Sequence, residues 1–183
     1  METEAGGSPG YYFMGGNSRQ PCEIVVNSSP AALSGVFLDL VEELGEQILL
    51  VFGESAATEE PQHILSFSPP LEARWLQSVL VSYEDVISCN REIELSALST
   101  DKCCNLVLTA DKQIFMSVCC PKRYIKILET RGLRKVDDLR SSRSACSHRR
   151  TVSGAANEIR LYELKQRLAV ISSVYYPRHE LLH

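Results

Sequence analysis

The fold is decided by residues 22–53, which run CEIVVNSSPAALSGVFLDLVEELGEQILLVFG. In the middle of this stretch, apolar residues recur at i, i+3, i+4, i+7, i+8 and i+11, the spacing of one apolar helix face. They are Leu33, Val36, Phe37, Leu40, Val41 and Leu44. The residues before the helix, CEIVV, and those after it, QILLVFG, have the length and composition of strands. The stretch therefore predicts a strand, an amphipathic helix and a second strand that is apolar on both faces.

The sequence also marks the ends of this helix. Ser28 and Ser29 are N-cap candidates, and Pro30 suits the first turn, where a missing N–H costs no hydrogen bond. Gly45 is expected to end the helix with a positive φ. A helix that follows a strand can bind phosphate at its N-terminus, but here no glycine-rich loop or lysine accompanies it. An ordinary capped helix is the simpler interpretation, and a degenerate nucleotide site at Ser28 and Ser29 is the alternative.

Similar patterns continue to residue 128. They predict strands at 62–68, 92–98, 105–110 and 113–118, a helix with an apolar stripe from Trp75 to Ile87, and one further strand at Tyr124–Leu128. The order is β-α-β-β-α-β-β-β, optionally followed by that last strand. We predict an α/β or α+β domain over residues 22–128, with a mixed sheet of about five to seven strands and two main helices.

The flanking segments have a different composition. Residues 1–21 are rich in Gly, Ser, Asn and Pro and are predicted to form a flexible leader. Residues 129–157 are polar and basic, which predicts a linker in a partly disordered tail. Helical spacing returns at 158–174 before a short tail at 175–183. On that terminal helix Leu161, Leu164 and Leu168 either pack on the domain or form a stripe that binds a partner.

Over about residues 22–120 this layout resembles a RecA-like domain, as in partners of recombinase paralogues. It also resembles the sheet-and-helix transducer domain of the topoisomerase VI B type. Both are resemblances of layout, because the ATP-binding signature of the second family is absent: there is no helix with Glu-x-x-x-Asn followed by Asp-x-Gly-x-Gly. The resemblances imply DNA recombination or repair machinery in the nucleus.

Charge is segregated along the chain. Residues 1–121 contain 5 Lys and Arg against 17 Asp and Glu, a net charge of −12, whereas residues 122–183 contain 14 against 6, a net of +8. A basic run of this kind can contact the phosphates of DNA or RNA, dock on an acidic protein, or fold back on its own acidic domain. The candidate residues are Lys122, Arg123, Lys126, Arg131, Arg134, Lys135, Arg140, Arg143, Arg149 and Arg150.

Metal and redox chemistry is the next class to consider. The pairs Cys103–Cys104 and Cys119–Cys120 flank a predicted hairpin with a turn at Asp111–Lys112. Adjacent cysteines on a strand point to opposite faces, so each pair supplies one thiol to a given face, and two thiols do not complete a tetrahedral zinc site. Small structural thiols are the simpler interpretation, with a redox or zinc module as the alternative. We predict no cofactor and no metal.

Nucleophilic catalysis lacks a recognisable constellation. His63 is the single histidine within residues 22–128, and no serine stands in a Gly-x-Ser-x-Gly motif. The sequence has no apolar run of the roughly 20 residues that a membrane span needs, and its first residues do not resemble a signal peptide. We therefore expect a nuclear or cytoplasmic, non-enzymatic subunit or adaptor that binds other protein subunits, with DNA or RNA as a further partner.

Overall fold

A computed structural model describes residues 9–15, 21–56, 62–90, 93–137, 155–170 and 172–177. Ten strands within these ranges form one sheet. In chain order they are β1 (Gly10–Gly15), β2 (Cys22–Asn27), β3 (Gln47–Ala56), β4 (Gln62–Phe67), β5 (Leu71–Glu72), β6 (Ile93–Ser99), β7 (Asn105–Leu108), β8 (Ile114–Val118), β9 (Arg134–Lys135) and β10 (Ser172–Pro177).

The order of strands across the sheet is β10-β4-β3-β6-β7-β8-β2-β1-β9, with the short β5 beside β3. Every pair is antiparallel except β1 with β9, which is parallel. The sheet is therefore mixed, and the predicted fold class is confirmed. Because β1, β5, β9 and β10 join it, the sheet is larger than the expected five to seven strands.

All the described helices lie on one face of this sheet. They are α1 (Pro30–Leu44), α2 (Ala73–Val81), α3 (Glu84–Cys89), α4 (Pro121–Thr130) and α5 (Ala155–Arg167). Their buried apolar side chains belong to a single core together with alternate residues of the strands, such as Ile24, Leu50, Leu95 and Met116. The core is thus a single layer between five helices and one sheet face.

Helix α1 has the ends that the sequence predicts, with one difference. Ser29 is the N-cap, and its Oγ accepts a hydrogen bond from the Ala32 amide at 3.4 Å, while Pro30 occupies the first turn. The positive φ expected at Gly45 is wrong: its φ is 172°, which is extended backbone. A Cβ at this position would lie 2.2 Å from Asp101 Oδ1, so a larger residue would require that side chain to move.

Two other predictions differ from the structure. Residues 124–128, predicted as a strand, belong to α4, which begins at Pro121 and buries Tyr124 and Leu128 one turn apart. The helix predicted to start near Trp75 is divided into α2 and α3 by a turn at 82–83. Trp75 was expected in the buried stripe, but it is 42% exposed because Leu76, Val79 and Leu80 form the packed face of α2.

The segments outside the predicted domain contribute edge strands. Strand β1 lies within the predicted leader and pairs with β2, and β9 lies within the predicted basic linker and pairs with β1. The terminal helix is observed as α5, and β10 follows it to pair with β4. The chain after residue 128 therefore returns to both edges of the sheet.

Candidate interaction surfaces

The basic stretch starts on α4. Six of its residues are described, on α4 and shortly after it: Lys122, Arg123, Lys126, Arg131, Arg134 and Lys135. Arg123 Nη2 lies 2.8 Å from Glu43 Oε2, and Arg131 Nε donates to Asp39 Oδ2 at 2.6 Å. This hydrogen bond raises the pKa of Arg131. Both carboxylates are on α1, so two of the six cations are engaged within the chain. The other four candidates lie outside the described residues: Arg140, Arg143, Arg149 and Arg150.

Helix α5 makes ion pairs of the same kind. Arg160 pairs with Asp85 and Lys165 with Glu54. Of the five ion pairs between described residues, four therefore join the acidic part of the chain, residues 1–121, to the basic part, residues 122–183. Among the alternatives for the basic run, the fold-back arrangement is the one observed for Arg123 and Arg131.

The remaining described cations of the stretch are exposed. Lys122 and Lys126 lie four residues apart on α4, and Arg134 and Lys135 form β9. Lys135 Nζ lies 5.2 Å from the centre of the Phe13 ring, a cation–π contact. The described ranges contain no ion pair for any of the four, so these cations are the part of the stretch that a polyanion could contact.

The leucines proposed for partner binding are packed inside the protein. Leu161, Leu164 and Leu168 belong to the core, and Leu164 and Leu168 are completely buried. Of the two alternatives for this helix, packing on its own domain is the one observed. The apolar residues that α5 exposes are Ile159 and Tyr162.

Two clefts border α1, and both are charged. The cleft between α1 and α4 has a volume of about 270 Å³ and is lined by Asp39, Glu42, Glu43, Lys126, Ile127 and Thr130. The cleft at the C-terminal end of α1 has a volume of about 490 Å³ and is lined by Glu42, Glu43, Gly45, Glu46, Glu72, Ala73, Arg74, Lys102 and Arg123. Neither set of lining residues includes a serine, cysteine or histidine. Both clefts are therefore lined by charged side chains, without a serine or cysteine nucleophile beside a histidine base.

The side chain of Tyr124 closes the gap between α1 and α4. Its hydroxyl donates to the Glu43 carbonyl oxygen at 3.1 Å, one of the carbonyls left unpaired at a helix C-terminus. Burial raises the pKa of Tyr124, and the nearby Cys104 raises it further. The hydroxyl therefore remains a donor well above neutral pH.

The cysteine pairs meet at the open end of the β7–β8 hairpin. The Cys119 thiol contacts the Cys103 carbonyl oxygen at 3.4 Å. Desolvation raises the pKa of Cys119, and Cys104 raises it further, which favours the less nucleophilic thiol form. Within the described part of the chain, no group of three or more His, Cys, Asp or Glu side chains could hold a metal ion. His63 lies on β4, but its side chain falls outside the described residues.

The feature that the sequence did not identify is the sheet face opposite the helices, called here the open face. The strand registers place one residue from each of seven neighbouring strands side by side across it. Six of these seven residues are apolar or aromatic. This set, called here the open-face row, consists of Tyr12, Val25, Phe115, Val107, Ser96, Val51 and Phe67.

The open-face row does not belong to the core. Val25 and Val51 are buried, yet neither is a member of the core cluster, and Phe115 remains 37% exposed. None of the described helices packs on this face, since their buried side chains all join the core on the other side. A sheet with one packed face usually has polar residues on the other, so an apolar row here is the unusual surface of the molecule.

In comparisons with known proteins, no family model, curated protein or solved structure matches the chain. Among the described residues, no helix has the length and apolar character to cross a membrane.

Proposed function

We propose that this chain is a non-enzymatic subunit or adaptor of a larger intracellular assembly, and that it binds a partner protein through its open face. The observation that supports the proposal is the open-face row. Neighbouring strands are about 4.8 Å apart, so seven of them extend the row to about 29 Å. No described helix covers this row, and Phe115 in its middle is exposed, which supports a surface that another molecule covers.

The ion pairs support the same proposal indirectly. The cations of α4 and α5 hold these helices to the acidic part of the chain, and their apolar residues complete the core. The helix face of the sheet is therefore occupied by the chain itself. The open face is the surface that a partner can reach without displacing a helix.

The test compares a variant on the open face with a matched variant elsewhere. Phe115→Glu places a charge within the open-face row, and Ile159→Glu places the same charge at an exposed apolar position on α5. We expect tagged wild-type protein and the Ile159 variant to elute from cell extract at the size of an assembly. The Phe115 variant should elute at the size of the free chain while retaining its own thermal stability. If all three proteins elute together, the open face is not the binding surface.

A second candidate function is contact with a polyanion, which in nuclear recombination or repair machinery would be DNA. The observation that favours it is the exposure of Lys122, Lys126, Arg134 and Lys135. Each phosphate contact adds about 0.9 to the slope of log affinity against log salt concentration. If all four cations contact phosphates, replacing them with alanine should reduce that slope by about 3 to 4.

This candidate can be measured separately from the first. Fluorescence anisotropy with a labelled 30-base-pair duplex would give the affinity at several salt concentrations. Replacing Lys102 and Arg167, two exposed cations outside the stretch, is the matched control and should leave the slope unchanged. A quadruple alanine variant with the wild-type slope would refute the role of these four cations.

A further inference from the structure

Four cysteines lie together where the β7–β8 hairpin opens towards α4. Cys103 and Cys104 precede β7, Cys119 follows β8, and Cys120 is the N-cap of α4. The strand register pairs the first residue of β7 with the penultimate residue of β8. The cysteines just outside the paired residues therefore face one another across a strand spacing of about 4.8 Å.

Two of these cysteines are in contact, and one of them is buried while the other is exposed. Cys104 is 7% exposed, and its backbone is held by the Lys102 carbonyl oxygen at 2.8 Å and the Ser99 amide at 3.0 Å. Cys119 is exposed, and its sulfur lies 3.4 Å from the Cys103 carbonyl oxygen. A side-chain hydrogen bond joins the thiols of Cys119 and Cys104. The exposed sulfur therefore lies against the buried one.

The buried thiol also connects the hairpin to the helices. A side-chain hydrogen bond joins Cys104 to Tyr124 on α4, and the Tyr124 hydroxyl donates to the Glu43 carbonyl oxygen on α1. Cys104 therefore contacts the residue that closes the gap between α1 and α4. A new covalent bond at the Cys104 sulfur would change a contact of α4 as well as the end of the hairpin.

We propose that Cys104 and Cys119 form a thiol–disulfide exchange site that is oxidised by small-molecule disulfides of the glutathione class. The exposed thiol of Cys119 is the one that such a molecule can reach, and the buried thiol of Cys104 is placed to react with it next. Two cysteines can be bridged without backbone movement when their Cα atoms are about 4.4–6.8 Å apart. Residues that face one another across antiparallel strands lie at about this distance.

The exchange takes place in two steps. The sulfur of Cys119 attacks glutathione disulfide and breaks its S–S bond, so that one glutathione leaves and the other remains on Cys119 as a mixed disulfide. The sulfur of Cys104 then attacks Cys119 Sγ, and the second glutathione leaves. The protons of the two protein thiols pass through solvent to the departing glutathione thiolates. The protein dithiol thus loses two electrons, and one glutathione disulfide becomes two molecules of glutathione.

The resulting bond would close a loop that contains the centre of the open-face row. Val107 on β7 and Phe115 on β8 both lie between residues 104 and 119. The turn already joins these strands at one end, and the disulfide would join them at the other end. We expect amide hydrogen exchange on β7 and β8 to be slower in the oxidised protein than in the reduced protein.

The experiment incubates the full chain with an excess of glutathione disulfide, blocks the remaining thiols by alkylation and identifies linked peptides by mass spectrometry. Trypsin releases residues 103–112 and 113–122 as separate peptides, each with one pair of cysteines. We expect these two peptides to be recovered as a disulfide-linked pair, and fragmentation to place the bond between Cys104 and Cys119. Reduction with dithiothreitol should separate them.

Single variants identify the reacting sulfurs. Cys119→Ser should lower the yield of the linked pair about 10-fold or more, whereas Cys120→Ser and Cys89→Ser, also at exposed positions, should leave it unchanged. In Cys104→Ser, Cys119 should accumulate as the mixed disulfide with glutathione, because the second thiol is missing. The proposal is overturned if the bond joins Cys119 to Cys103, if the wild-type protein stops at the mixed disulfide, or if no linked pair forms.

Discussion

Phe115 and Met116 are neighbours on β8 that point to opposite faces of the sheet, so replacing each with alanine tests the single-layer arrangement. Met116 is 2% exposed within the core, and truncating such a residue costs about 2–5 kcal/mol of unfolding free energy. Phe115 is 37% exposed and lies opposite Val25 and Val107 on the neighbouring strands. Contacts of that kind contribute about 1 kcal/mol or less each.

For binding to the open face we expect the opposite order, with a larger loss of affinity on replacing Phe115 than on replacing Met116. An aromatic side chain has about 200 Å² of surface, so the exposed part of Phe115 is about 75 Å². At 25 cal/mol per Å², covering it contributes about 2 kcal/mol, or about 30-fold in Kd. With a labelled amphipathic peptide that has a leucine and phenylalanine face as the probe, Phe115→Ala should therefore weaken binding up to about 30-fold, and Met116→Ala should change it little among molecules that remain folded.

Urea denaturation followed by circular dichroism gives the stabilities, and peptide anisotropy gives the affinities. The reasoning is refuted if Phe115→Ala lowers the unfolding free energy as much as Met116→Ala does. That outcome would mean that the open face is packed against another part of the chain and is not available to a partner.

Three further predictions concern the helix side of the sheet. Leu164→Ala should lower the unfolding free energy measured in urea by about 2–5 kcal/mol and Tyr162→Ala by less than about 0.5 kcal/mol, because only the leucine lies in the core. Equal losses for the two variants would mean that α5 does not pack on the sheet through Leu164. A double-mutant cycle on Arg131 and Asp39 should give a coupling of about 0.2–1 kcal/mol that falls with salt, as for other partly exposed pairs; a salt-independent coupling would contradict this. Because the folded state raises the pKa of Tyr124 above its ordinary 10.0, its neutral form stabilises the protein below pH 10, and this stabilisation is lost as pH rises further. Tyr124→Phe should therefore be about 1 kcal/mol less stable than wild type at pH 8, and the difference should become smaller by pH 11. An equal difference in unfolding free energy at both pH values would contradict this prediction.

The elements with the strongest periodicity could be predicted from the sequence. The apolar face of α1, its Ser29 cap and the β7–β8 hairpin were all evident from local patterns. The prediction of a strand at 124–128 was wrong because the apolar pattern of only five residues does not distinguish a strand from a helix. Pro121 was the available signal for a helix, since proline favours the first helical turn.

The candidate surface could not be predicted, for a physical reason. Alternation within β3 or β8 indicates which residues share a face of that strand, but not which residues of other strands lie beside them. That depends on register, and register is a property of the whole sheet. The continuous apolar run of β3 gave a partial indication of this surface. A strand that is apolar on both faces predicts apolar surroundings on each of them, and one of the two faces of β3 belongs to the open face.

The charge segregation was evident from the sequence, but its consequence was not. A basic run of this density is typical of polyanion binding as well as of folding back on an acidic domain. The outcome depended on the pairing of Arg123 and Arg131 with carboxylates on α1, some 80 to 90 residues earlier in the chain. Contacts between elements so distant in sequence cannot be read from local composition.

The central claim, that another protein covers the open face, can be measured most directly by hydroxyl-radical footprinting with mass spectrometry. The modification rate of Phe115 would be compared between the isolated chain and the chain purified within its assembly, with Tyr162 as the exposed control at 64%. We predict that Phe115 is protected several-fold in the assembly while Tyr162 is modified at the same rate in both. Equal modification of Phe115 in the two samples would contradict the claim.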